Sequence, residues 1–148
     1  MRLWGQRIMR VRGCYKSSPG FHLLELLIVM AMIGLLAALS LPLYSQYVVQ
    51  ERRLEAAAML SKLAIAMEEY HVDQNTYQNA TLAALGFSEI IVDGYYQLSI
   101  PTETADDYLL MATPLGAQAA KDTACASLTL QANAKKGITG SGKVEECW

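Results

Sequence analysis

A chain of 148 residues has room for one domain. It is 53% hydrophobic and 18% charged, and its formal net charge of −2 conceals a division. Arg2, Arg7, Arg10, Arg12 and Lys16 stand in the first twenty residues with no acid, leaving seven basic against fourteen acidic side chains after them. A basic head on an acidic body reads as a targeting segment followed by an exported domain. It argues against nucleic acid as the main partner of the body, because phosphate binding needs clustered Lys and Arg.

The first predicted element is a membrane-type helix. Leu26 to Gln50 is a run of twenty-five residues without a formal charge, apolar throughout Leu26 to Tyr44. As a helix it reaches about 37 Å, enough for a hydrocarbon core of about 30 Å. The basic residues before it place its N-terminal side in the cytoplasm and the rest of the chain outside. The run is longer than the apolar region of an ordinary signal peptide, and Ala37-Ala38-Leu39 is a poor small-x-small cleavage site. Glu25 stands at its mouth, where a carboxylate without a partner is unfavourable, and an acid in such a place points to function. The bland alternative is a side chain that only marks the headgroup boundary. Pro42 lacks an N–H and its ring clashes one turn back, and Gly34 and Ser40 are weak helix formers. A kink or locally unwound stretch is expected from Gly34 to Pro42.

The helix is expected to continue to about His71. Ala56, Leu60, Leu63, Met67 and Tyr70 are spaced 4, 3, 4 and 3, an apolar stripe of helical period, with Glu51, Glu55, Lys62 and Glu69 mostly off it. Stripe Met and Tyr residues read as core. His71, near the helix end, reads as a solvated residue favoured by the dipole rather than a metal ligand. Asp73-Gln74-Asn75-Thr76 closes the helix, and Thr76 to Gly94 mixes short helical pieces with loop. Asn79-Ala80-Thr81 is formally a glycosylation sequon, a pattern frequent by chance. Strands are predicted at Tyr95–Ile100, Asp107–Thr113 and Ala126–Gln131, the first two stopped by Pro101 and Pro114. The fold class is α+β, with a long helix against an antiparallel sheet of three to four strands. Asp106-Asp107 reads as solvated turn residues. No metal site or cofactor is indicated.

Cys14 lies in the basic head. Cys125 and Cys147 remain as an even pair in the exported part, which reads as a disulfide. Closing a loop of about 23 residues stabilises by roughly 3.4 kcal/mol in the chain-entropy picture. Between the two cysteines, Gly137 to Lys143 fits the G-x-x-x-x-G-K phosphate-loop pattern. Val144 stands where the Mg²⁺-binding hydroxyl should be, and little chain remains for the supporting helix. Lys135, Lys136 and Lys143 make a basic loop on an acidic body, suited to a solvated surface first and to contact with DNA, a surface or a neighbouring subunit second.

The string Gly20-Phe21-His22-Leu23-Leu24-Glu25-Leu26-Leu27-Ile28 resembles the type IV prepilin cleavage and methylation motif. In that family a short basic leader ends in Gly, and the mature chain starts with Phe or Met and carries Glu at its fifth position. His22 departs from the frequent Thr, which affects neither the cut nor the Glu. Gly34 and Pro42 match a frequent family Gly and a helix-breaking Pro. The pieces YYQLSI, YLLMATPLGAQAAKDTACASLTL and ECW are similar to the C-terminal region of PilE-type type IVa pilins and minor pilins, where the strand bearing the first Cys is pinned to the tail.

The resemblance implies a type IV pilin fold. It also implies a leader 1–20 removed between Gly20 and Phe21 by prepilin peptidase, N-methylation of Phe21, an apolar transmembrane and filament-core helix over 21–50, and a periplasmic or extracellular domain over 51–148. Glu25 of one subunit would neutralise the Phe21 amine of a neighbour. The implied partners are other pilin subunits, the peptidase, the inner-membrane assembly platform and, before assembly, the inner membrane. The implied function is a structural pilus subunit of the minor kind, serving adhesion, twitching motility or DNA uptake, with no enzymatic activity. The alternative is a pseudopilin of type II secretion. An anchored periplasmic enzyme is disfavoured, because only one His lies beyond the apolar helix and no Ser-His-Asp set accompanies it.

Overall fold

The computed structural model describes residues 22–148. The chain divides into two compact units, Met1–Leu39, described from His22 onward, and Ser40–Trp148. Helix α1, Leu23–Gln74, belongs to both. Its apolar part reaches a mean hydropathy of 2.6, long and apolar enough to cross a membrane. The helix ends three residues beyond the expected His71. Its helical turns also continue through Gly34 and Pro42, so the locally unwound stretch expected there is absent. Proline removes one donor and strains one turn, which membrane-type helices absorb.

The rest of the second unit is an antiparallel meander. Its strands are β1, Ile90–Ile91; β2, Tyr96–Glu103; β3, Tyr108–Pro114; β4, Leu128–Gln131; and β5, Lys136–Ile138. They lie in sequence order, each paired with the next. A 3-10 turn, Val92–Gly94, precedes β2. Helix α2, Gly116–Lys121, links β3 to β4, and α3, Val144–Cys147, closes the chain. The three long strands lie where alternation places them, but β2 runs on through Pro101 to Glu103 and β3 takes in Pro114, where each was expected to stop, and β4 starts two residues later than expected, at Leu128. The five-stranded count comes from two edge pieces of two and three residues, too short to carry a period. The β2–β3 register shifts between Ser99 and Thr102, around Pro101, which has no N–H to give to a ladder.

Alternation turns Tyr96 and Leu98 of β2, Tyr108, Leu110 and Ala112 of β3, and Leu128 and Leu130 of β4 to one buried face. There they form a single cluster with Ala56, Leu60, Leu63 and Met67 of α1. Each large side chain fully removed from water contributes about 1.5–3 kcal/mol. The amphipathic half of α1 is thereby fixed to the sheet.

Candidate assembly helix and disulfide-closed face

The described part of the first unit is a helix whose apolar side chains stand in the open: Leu23 is 81% exposed, and Leu27, Met30, Leu35 and Leu39 are likewise exposed. Glu25 lies in its first turn. Its backbone N–H donates to the His22 carbonyl at 2.9 Å, and among the described residues its carboxylate has no ion-pair partner. The expected cleavage position Gly20–Phe21, the expected methylation position Phe21, and Cys14 lie outside the described residues. A side chain added at Gly34 would meet open space. The apolar exposure continues into the second unit on the side of α1 away from the sheet, at Leu54, Ile65 and Val72. Such a surface is stable only in lipid or against other apolar helices.

Near the start of the amphipathic half, a polar cluster ties α1 to β2 and α2. Arg53 Nε lies 3.5 Å from Asp122 Oδ2, with the side chains 14% and 4% exposed. Tyr96 donates its hydroxyl to the same oxygen at 3.2 Å. Gln118, fully buried, gives its amide N–H groups to the Val49 carbonyl at 3.0 Å, to Tyr96 Oη at 3.2 Å and to Asp122 Oδ2 at 3.3 Å. Its own oxygen has no partner. Burial, with the Asp122 charge adding to it against the opposing Gln118 hydrogen bond, pushes the Tyr96 phenol up to about 12. Sequence reasoning missed this cluster. The signal was present: Arg53 extends the apolar stripe one step before Ala56, and a guanidinium in a core position requires a buried anion.

At the far end of α1, Glu68 accepts the hydroxyls of Tyr77 and Tyr108, each at 3.0 Å. The Tyr108 phenol is raised, by burial first and then by its bond to Glu68. His71 packs its ring 4.3 Å from that of Tyr77, so it is a packing residue. Asp107 shapes the β2–β3 turn. Its carbonyl accepts from the Thr104 N–H at 2.8 Å, and its carboxylate accepts from the Tyr108 N–H at 2.9 Å.

Cys125 and Cys147 are joined in a disulfide and are each 3% exposed. The glycines of the phosphate-loop look-alike have a structural use beside it. Gly140 N donates to the Cys125 carbonyl at 3.1 Å and Gly142 N to the Ala124 carbonyl at 2.7 Å. A side chain at Gly140 would run into the Ala124 backbone. The N–H groups of Thr139, Gly140 and Gly142 are thus spent on the chain itself, and the helix that follows has four residues. Of the basic loop, Lys136 lies over the Trp148 ring at 4.9 Å, and Trp148 Nε1 donates to the Gly137 carbonyl at 2.9 Å. Lys143 pairs with Glu146 at 3.5 Å at the surface.

Residues 42–129 match the family model described as type IV minor pilin ComP, DNA uptake sequence receptor. The chain is similar to the fimbrial protein EcpC of Eikenella corrodens, 31% identical over 120 residues that cover 81% of this chain and 78% of that protein. It is similar to a fimbrial protein of Pseudomonas aeruginosa, 31% identical, with 68% of this chain and 70% of that protein covered. To the type IV major pilin PilE1 of Neisseria gonorrhoeae it is 31% identical over 58% of this chain, which spans about half (48%) of that protein's length. The non-core minor pilin PilV of Neisseria meningitidis shares the fold, with a TM-score of 0.52 at 18% identity over 66% of this chain and 92% of that one.

Proposed function

The chain belongs to the type IV pilin family, and from that premise we propose that it works as a minor subunit of an extracellular pilus, built in by its apolar helix and the charge of Glu25. The observation that carries this reading is an apolar helix exposed over residues 23–39, with one carboxylate in its first turn, in a chain whose second unit is disulfide-closed. In the precursor the helix sits in the inner membrane, with the basic leader in the cytoplasm and the domain in the periplasm. Prepilin peptidase cuts between Gly20 and Phe21, and Phe21 is N-methylated. The new ammonium and Glu25 are both poorly solvated in lipid, and pairing between neighbouring subunits neutralises both and sets axial register. The assembly platform extracts the subunit, and Leu54, Ile65 and Val72 extend the apolar contact past the membrane segment. Gly34 and Pro42 are the points at which the helix gives when it packs or is pulled.

The role is structural, as in the pilins it is similar to, and none of the relatives named above is a secretion pseudopilin. DNA contact is a second reading, favoured by the description of the matching family and by Lys135, Lys136 and Lys143 beside the disulfide. Its phosphate part predicts binding that weakens steeply with salt.

The test is Glu25→Val in competition with the wild-type chain. The variant is expected to be cut normally and to enter filaments at least about tenfold less, the effect of about 1.4 kcal/mol of lost pairing. Equal incorporation would sink the role given to Glu25.

A further inference from the structure

The disulfide is not sealed off on every side. A cavity of about 410 Å³ is lined by Ser45, Gln46 and Val49 of α1, by Arg53, by Lys121 and Asp122 at the end of α2, and by Ala124 and Cys125. Arg53 uses its guanidinium fork on two partners there: Nε faces Asp122, and Nη1 donates to Cys125 Sγ. Asp122 receives further donors from Tyr96 and Gln118. Its charge is therefore shared among three groups, and the Nη1 N–H remains for the sulfur. The charged groups lining the cavity are Arg53, Lys121 and Asp122, two cations and one anion. The other sulfur has different company. Cys147 follows Glu145 and Glu146 directly in the single turn of α3, and among the described residues the one ion pair to either is that of Lys143 with Glu146 at the surface. A nearby cation favours a thiolate and nearby carboxylates disfavour it.

We propose that Cys125 is the thiol activated for oxidative closure of this domain, with Arg53 as its positioning residue, and that the cavity admits the oxidant to Cys125 while the C-terminal tail is still free. The oxidant is of the disulfide class, as found where exported proteins acquire their bridges. Cys125 releases its proton to solvent, and the thiolate attacks one sulfur of the oxidant. A Cys125–oxidant disulfide forms, the oxidant's own S–S bond breaks, and its second sulfur leaves as a thiolate. The Cys147 thiol then loses its proton and attacks Cys125 Sγ. The Cys125–Cys147 bond forms, the mixed disulfide breaks, and the first sulfur of the oxidant departs. The chain has given up two protons and two electrons, and the oxidant has gained the electrons. The order suits the architecture: Asp122 and Ala126 bracket Cys125 through the Ala126 N–H to Asp122 carbonyl bond at 2.8 Å, whereas Cys147 is brought to it by the four-residue α3. The oxidant belongs to the exported compartment assigned above, while thiol reactivity is measured on the purified chain, so either can fail without the other.

The experiment uses the full chain in detergent, carrying Cys14→Ser, reduced and then alkylated with iodoacetamide from pH 5 to pH 10. Peptide mass mapping reports Cys125 and Cys147 separately. Cys125 is expected to react with a midpoint about one unit or more below the ordinary thiol value of about 8.5, and to label about tenfold faster than Cys147 at pH 6.5. Brief exposure of the same protein to oxidised glutathione places the first adduct on Cys125. Arg53→Gln moves the Cys125 midpoint up to that of Cys147, while Arg53→Lys keeps part of the gap. Lys121→Gln, at an exposed position, narrows the gap without touching the buried pair and serves if Arg53→Gln does not fold. Coincident midpoints in the protein with its native charges, or a first glutathione adduct on Cys147, overturn the proposal.

Discussion

At Asp122 three donors converge on one buried carboxylate, and this point binds the long helix to the sheet. Removing one member of a buried pair leaves the other charge stranded, typically at 3–5 kcal/mol. Arg53 is 14% exposed, so Asp122→Ala should cost about 2–3 kcal/mol, read as a lower urea midpoint of the oxidised chain. A loss under about 0.5 kcal/mol would mean the pair is screened like a surface bridge. Tyr96 adds a pH dependence. Its folded value of about 12 lies above the ordinary value of 10.0, because the neutral phenol is the form that fits the site. Below pH 10 both folded and unfolded chains hold the proton, and the contribution is fully present. Between pH 10 and about 12 the unfolded chain binds fewer protons, so stability falls as pH rises. Urea midpoints should drop across that window, and Tyr96→Phe should make the drop shallower. Tyr77 and Tyr108, also raised, keep it from vanishing. An unchanged slope in the phenylalanine variant would show that Tyr96 does not titrate there.

Elements with a period could be read from the chain alone; those without one could not. The 4, 3, 4, 3 spacing found the core face of α1, and alternation found all of β4, most of β3 and the first part of β2. The pieces β1 and β5 have two and three residues and are strands only because a neighbour pairs with them. Helix α2 is placed by Gln118, whose partners lie in α1 and β2, far away in sequence. The glycine pattern from Gly137 to Gly142, which Val144 already set apart from a phosphate loop, serves packing. Two glycines test this division. Gly34→Ala, in open space on a helix, should leave the fold intact and add up to about 1 kcal/mol of helix propensity. Gly140→Ala should cost about 1–3 kcal/mol, because the added methyl group forces the tail off the Ala124 backbone. Thermal unfolding of the two variants decides it. Equal melting temperatures would contradict the close approach at Gly140.

For the whole molecule, the proposed topology rests on charge and hydropathy. A basic head, an apolar run with one acid at its mouth, and an acidic body with an even cysteine pair are the features on which the proposal of a membrane-threaded, later extracted subunit rests. What the sequence could not supply was how the domain is tied to its helix. That depends on Arg53, Asp122, Gln118 and Tyr96, which span seventy residues of chain and meet only after folding. The most direct test of the account is the unreduced intact mass of this chain recovered from filaments sheared off cells. The account predicts a chain that begins at Phe21, heavier by one methyl group and lighter by the two hydrogens of a disulfide. A chain found only in membranes, still beginning at Met1 or trimmed after the apolar run, would contradict it.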